Sequence, residues 1–208
     1  MSSDPSTWAE LKASLANWLN RDDLSATEIP EAIALAERRF QRTIFSPERE
    51  VTADLVVDAE AVALPADLWG VKALHLATDP KAVLEPMTLA ELRNTFSGNA
   101  TGRPQNYAIS GETILFGPAP DAAYTGRLTY IRTIAALGES QASNWLIDDH
   151  PDVYLYGALH ELHLLLHDVE KAALFDGRLR QAAEEVNVSG LRRRQGGSPI
   201  RIRPPSFA

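Results

Sequence analysis

The 208-residue chain contains no cysteine, which excludes disulfide scaffolds, thiol catalysis and cysteine-ligated metals. No segment approaches the roughly 20 apolar residues that span a bilayer, and the first residues lack the basic start and apolar run of a secretory signal. The sequence also contains neither a G-x-S-x-G elbow nor a phosphate-binding P-loop. We therefore expect synthesis in a reducing cytoplasm, no membrane association, and no hydrolytic or nucleotide-dependent chemistry.

Acidic residues are missing from the C-terminal end. From Val186 onward the chain has five arginines and no aspartate or glutamate, so the net charge of −8 divides into +5 for this end and −13 for residues 1–185. An acidic body with a basic tail is common where the tail meets a partner. A solvated terminal tail without a function is the alternative that charge alone leaves open.

The spacing of the apolar residues and the helix-start signals predict helices at both ends of the chain. Apolar residues make up 45% of the sequence, which is sufficient for a real core. A Thr7–Glu10 capping box and apolar residues at helical spacing predict helices within 7–45. Pro151 in a first turn opens a second helical region over 150–194.

The second helical region is unusually apolar. A seam at alternating spacings of four and three predicts packing on another helix, and its members are Leu155, Leu159, Leu162, Leu166 and Val169. Tyr154, Leu164 and Leu165 lie off the seam, so this helix is expected either to be central in its domain or to lie at a subunit contact. Asp168 is expected to cap a following helix that runs to about Arg194.

The middle of the chain, residues 48–135, has the pattern of β-strands. Ser110-Gly111 predicts a hairpin turn, and the alternation from Arg127 to Ile134 predicts a strand. The predicted fold class is therefore α+β. It comprises an antiparallel helix bundle from the N- and C-terminal helices, an inserted β-rich region and an extended C-terminal tail. We interpret 1–195 as a single domain and 196–208 as the tail.

The tail has a pattern of its own. The glycine-rich segment Gln195–Pro199 predicts a flexible hinge, and Ile200–Arg203 alternates as a strand does. A lone four-residue strand is not stable by itself. The segment is therefore either disordered or adds to the sheet edge of a partner, which is a known mode of binding.

Three histidines, His160, His163 and His167, lie in the sequence HELHLLLH. The zinc-protease pattern fails because position 164 is leucine rather than histidine. His163 and His167 have the spacing to hold a metal with Asp168 or Glu161 nearby, but no third ligand is evident. Histidines beside a leucine seam are more often buried and hydrogen-bonded. A metal-dependent enzyme using these histidines is therefore kept as an alternative function.

The tail arginines allow a second alternative, a basic-tailed DNA-binding accessory protein. Five arginines can hold the phosphate backbone without reading sequence, and such binding is sensitive to salt. The −13 charge of residues 1–185 argues against a dedicated DNA-binding surface. Tight, salt-sensitive binding of duplex DNA by the isolated subunit would favour this alternative.

Most of the chain resembles the head–tail adaptor proteins, also called neck or head-completion proteins, of tailed phages and gene transfer agents. The pattern consists of turns and aromatic residues rather than a catalytic signature. The resembling segments are Pro65–Trp69, Gly102–Ile109, Gly111, Ile114, Phe116, Pro118, Pro120-Asp121, Tyr124, Leu128–Tyr130, Ala136-Leu137, Asn144–Leu146 and Pro151–Leu159.

This resemblance implies a non-enzymatic structural subunit of the virion neck that needs no cofactor or metal. Its implied partners are further copies of itself in a ring of twelve, the portal protein above, a stopper or tail-completion protein below, and double-stranded DNA that passes without specific binding. The resemblance also implies that the C-terminal tail docks on the portal. The docking residues are then Arg192, Arg193, Arg194, Ile200, Arg201, Ile202, Arg203 and Phe207.

Overall fold

The computed structural model describes residues 4–20, 27–78, 80–96 and 100–194. The helices are α1 (Trp8–Leu19), α2 (Glu28–Thr43), α3 (Leu89–Thr95), α4 (Trp145–Asp149), α5 (Pro151–Leu165) and α6 (Val169–Arg194), with a 3-10 turn at Pro47–Arg49. The strands are β1 (Glu50–Val57), β2 (Ala61–Ala63), β3 (Leu68–Leu76), β4 (Ala82–Val83), β5 (Glu85–Pro86), β6 (Thr101–Gly102), β7 (Asn106–Ser110), β8 (Thr113–Gly117), β9 (Ala119–Pro120) and β10 (Tyr124–Arg132).

The chain divides into two compact units. The helical unit comprises the chain up to Glu48 and from Ile134 onward, and the β unit comprises Arg49–Thr133. The α+β fold class is confirmed, since helices from both chain ends pack together and the strands lie between them in sequence. The interpretation of 1–195 as a single domain stays a prediction.

Helix α5 occupies the centre of the helical unit. It packs against α1, α2, α4 and α6, and buries Tyr154, Leu159 and Leu162 completely. Gly157 lets α2 approach closely, because a Cβ at this position would lie 2.6 Å from Cζ of Phe40. An all-round apolar sequence thus gives a central helix, which is one of the two placements that the sequence predicts.

The predicted leucine seam is wrong at its C-terminal end. Helix α5 stops at Leu165, and Val169, the expected last member of the seam, begins α6 with its side chain 69% exposed. The cause is His167, which adopts a left-handed conformation with φ 57°. The amide of Asp168 then donates to the carbonyl of His163 and that of His167 to Leu164, which is the Schellman pattern that ends a helix.

Local capping residues set the helix starts. Thr88 forms a capping box with Glu91 at the start of α3, and the Asp168 carboxylate accepts from the Lys171 amide at the start of α6, as expected. The predicted box at Thr7 is confirmed in its first bond. Thr7 accepts from the Glu10 amide, and the Glu10 carboxylate accepts from the amide and hydroxyl of Ser6 and also interacts with Thr7. Helix α4, capped by Asn144, was not predicted separately.

The β unit contains two four-stranded sheets with the orders β1-β10-β3-β4 and β2-β8-β7-β5, and a short parallel pair β6-β9. The predicted hairpin is confirmed, since β7 and β8 pair up to Ser110 and Thr113 around Gly111, whose φ is +60°. The strand expected from Arg127 to Ile134 is β10, shifted towards the N-terminus. The buried core of this unit consists of Val57, Leu74, Leu76, Leu84, Tyr107, Ile114, Phe116, Leu128 and Tyr130.

Candidate functional site

The first predicted docking residues lie on the last turn of α6, which the helical unit holds in place. Asn187 forms the main clamp: its side chain accepts a 2.7 Å hydrogen bond from the Phe45 amide and donates at 2.9 Å to the Thr43 carbonyl. Gly190 follows one turn later, where a Cβ would lie 2.6 Å from Cδ of Pro47. The end of α6 is therefore fixed against the end of α2.

An ion pair strengthens this clamp. Nη1 of Arg193 lies 2.5 Å from Oε1 of Glu48, and Oε2 of the same carboxylate accepts a hydrogen bond from the Ser46 hydroxyl. Partial burial acts to raise the pKa of Glu48, but the hydrogen bonds from Ser46 and Arg193 outweigh it and hold that pKa below its usual value. The Arg193 side chain remains 60% exposed, so it keeps donors available for a partner.

The structure describes only part of the predicted docking site. Arg192 and Arg193 are exposed on α6, and Arg194 ends the helix. The remaining docking residues, Ile200, Arg201, Ile202, Arg203 and Phe207, lie outside the described residues. Asn187 and Glu48 were missed because their contacts join segments about 140 residues apart, for which no local pattern exists.

The three histidines of the HELHLLLH segment have separate structural surroundings. Nδ1 of His160 lies 2.9 Å from the Ala172 carbonyl, which joins α5 to α6. The His163 ring stacks on Phe175 with centroids 5.4 Å apart, and His167 lies beyond the helix end. Within the described ranges, no group of three or more histidine, aspartate or glutamate side chains is arranged to hold a metal. The metal-dependent alternative therefore gains no support.

His163 and Asp168 face each other across the α5–α6 turn. Nδ1 of His163 is buried without a hydrogen-bond partner and lies 3.7 Å from Oδ2 of Asp168. Burial lowers the pKa of His163, and the nearby Asp168 carboxylate only partly opposes this shift. The neutral imidazole is thus a packing group between two helices, which is the more common fate of a histidine beside a leucine seam.

A buried polar network, not predicted from the sequence, joins α2, α4 and α5. Oε1 of Glu37 accepts from the Leu137 amide at 2.7 Å and from the Tyr154 hydroxyl at 3.1 Å. Nδ2 of Asn144 donates to the same hydroxyl at 2.7 Å. A detectable signal did exist, because Glu37 follows Ile33 by four residues and precedes Phe40 by three, which places a carboxylate on the buried face of α2.

The sequence model of the SU10 adaptor protein family matches residues 6–203, so the chain belongs to this family. The family comprises structural, non-enzymatic head–tail adaptor proteins of phages, which confirms both the resemblance and the expectation that the chain is not an enzyme. No curated protein matches the chain. In the part of the chain that the structure describes, no helix has the length and apolar composition required to cross a membrane.

Proposed function

We propose that this adaptor subunit forms a ring beneath the portal, extends the DNA channel, and joins the capsid to the tail or to a stopper protein. Membership of a phage adaptor family supports this proposal, since such a family implies capsid and tail partners. The proposed ring has twelve copies, as the resemblance implies. Each subunit then contributes one C-terminal tail to the portal side of the junction.

The main observation that supports the proposed portal contact is the anchored basic end of α6. Asn187 and Glu48 fix the last turns of the helix to the helical unit, so Arg192 and Arg193 hold a defined position just before the tail. A fixed starting point restricts the volume that an attached segment explores, and this raises its effective concentration near a partner surface. The five arginines after Val186, without a single acid, favour an acidic partner.

Each part of the proposed docking tail has a separate role. Ile200 and Ile202 alternate with Arg201 and Arg203, so an added strand would place the isoleucines on one face and the arginines on the other. The strand adds to an exposed sheet edge of the portal through main-chain hydrogen bonds. Phe207 then fills an apolar pocket, and Arg192, Arg193 and Arg194 contact acidic groups nearer the helix.

The charge of the rest of the subunit is compatible with DNA passage. Residues 1–185 carry −13, which repels the phosphate backbone and limits adhesion of sliding DNA. We therefore propose a channel that DNA traverses without specific binding.

Removal of residues 196–208 tests the docking tail. We expect the truncated protein to fold, because the described helices and both cores precede this segment, and to lose attachment to portal-bearing heads. Co-sedimentation with such heads and electron microscopy measure attachment, and circular dichroism checks the fold. Ser206→Ala is the matched control, since it alters the same segment without touching a docking residue. Normal attachment by the truncated protein would refute the docking role.

A further inference from the structure

Helix α6 carries an exposed stripe on the side that faces away from the helical core. Its members recur at spacings of four and three, which is the period of a helix–helix seam, and they are Leu174, Arg178, Gln181, Glu185 and Val188. Leu174 is 53% exposed and Val188 is 38% exposed. Apolar residues at both ends of an exposed seam, with opposite charges between them, indicate a surface that contacts another helix.

The order of residues along this stripe is self-complementary. When two copies of α6 run antiparallel about a two-fold axis at Gln181, residues whose numbers sum to about 362 face each other. Leu174 of one copy then lies level with Val188 of the other, and Arg178 lies level with Glu185. Arg178 and Glu185 are two turns apart, so they lie on the same side of the helix, and a two-fold antiparallel pairing keeps that side together.

The opposite flank of the stripe follows the same rule. Gly177 and Glu184 lie seven residues apart on that side, and the pairing places Gly177 of one copy level with Glu184 of the other. Nothing is within 4 Å of the position that the Cβ of Gly177 would take. A glycine with open space around it, in the middle of a long helix, leaves room for a second backbone to approach.

We propose that the free subunit dimerises through this stripe of α6, antiparallel and two-fold, with Gln181 on the axis. The occupant is a second copy of this chain because the charges of the stripe are satisfied by the stripe itself. The seam from Leu174 to Val188 is roughly 21 Å long at 1.5 Å per residue, so the contact is small and the dimer is weak. A two-fold contact closes on itself and cannot propagate.

Contacts inside one subunit are compatible with this pairing. The Arg178 guanidinium lies 5.8 Å from the Tyr156 ring centroid, and the Glu185 carboxylate accepts a hydrogen bond from Gln181 at 3.0 Å. Both charged side chains are nevertheless exposed. Arg180 pairs with Asp176 of its own helix and is 73% exposed. The Arg178–Glu185 pair therefore provides the test of the register.

A cysteine at the axis tests the geometry. The chain has no cysteine, so Gln181→Cys introduces a single thiol. Helix axes 8–10 Å apart bring facing Cα atoms within the range that a disulfide spans. We expect mild oxidation to give a covalent dimer of Gln181→Cys and little dimer of the control Ala34→Cys, an exposed position on α2. Equal cross-linking of the two variants, or none at position 181, overturns the pairing.

A charge exchange tests the register. In sedimentation velocity runs over a range of concentrations we expect a monomer–dimer equilibrium that high salt weakens. Arg178→Glu and Glu185→Arg should each weaken dimerisation on the order of tenfold, and the double variant should restore it. A monomer at every concentration, a larger ring, or a double variant no better than the single variants overturns the proposal. These variants lie outside residues 196–208, so the result is independent of the proposed docking of the tail.

Discussion

Glu37 brings a carboxylate into the core of the helical unit, where its side chain is only 8% exposed. Burial raises the pKa of Glu37, and the hydrogen bonds from the Leu137 amide and the Tyr154 hydroxyl oppose this shift only in part. The carboxylate in turn raises the pKa of Tyr154, after the larger effect of burial. The network therefore positions three helices at the cost of holding an acid in a poorly solvated place.

This arrangement predicts how Glu37→Gln changes stability with pH. The pKa of Glu37 is higher in the folded state than in the unfolded state. Its stabilising contribution to the free energy of unfolding is therefore fully present at a pH below the ordinary pKa of 4.5, and it is lost as the pH rises through the folded-state pKa. Glutamine keeps an oxygen that accepts from Leu137 and Tyr154, but it does not ionise. We expect the variant to equal or exceed the wild type in free energy of unfolding at pH 7 and to lose this component of the pH dependence.

Urea unfolding at a series of pH values between 4 and 8 measures the difference. Glu37→Ala is the control, since it leaves the buried Leu137 amide without its acceptor and should cost about 1–3 kcal/mol at every pH. A Glu37→Gln variant that is as unstable as Glu37→Ala would show that charge, rather than hydrogen bonding, holds the network together.

At the scale of helices and strands, the sequence predicts best what neighbouring residues decide. Asp168 caps its helix as expected because a cap involves residues within one turn. The end of α5 was mispredicted because His167 adopts a left-handed conformation that is usually left to glycine, and no local rule assigns it to a histidine. The clamp by Asn187 was not predictable from the sequence because it depends on how α6 packs against the end of α2.

The two glycines of α6 predict opposite effects for the same substitution. Nothing lies near the Cβ position of Gly177, so Gly177→Ala should stabilise the helix by about 0.5–1 kcal/mol through helix propensity. At Gly190 the new methyl group would lie 2.6 Å from the Pro47 ring, so Gly190→Ala should destabilise the protein.

Chemical denaturation in dilute solution, followed by the helical signal in circular dichroism, compares the two variants under conditions that keep the chain monomeric. Stabilisation by Gly190→Ala would mean that the end of α6 does not pack closely on Pro47. Destabilisation by Gly177→Ala would mean that this side of the helix is not open in the single subunit.

At the scale of the whole molecule, the chain enters and leaves the β unit at neighbouring points. Glu50, at the start of β1, pairs with Ile131, near the end of β10, and Nε of Arg49 donates to the Arg132 carbonyl at 2.9 Å. The amide of Thr133 donates to the Asp67 carbonyl at 2.7 Å. Both ends of the segment are therefore tied into its own sheet, and the segment has its own buried core.

We therefore expect residues 49–133 to fold when expressed alone, with a stability on the order of 5 kcal/mol. A segment with paired ends and a separate core loses no strand when the flanking helices are removed. Dispersed amide signals in nuclear magnetic resonance and a cooperative thermal transition would show folding, and Leu128→Asp, which buries a charge in the core, is the control that should unfold. A wild-type fragment that resembles this control would mean that the β unit requires the helices to fold, and that the adaptor folds as one cooperative domain.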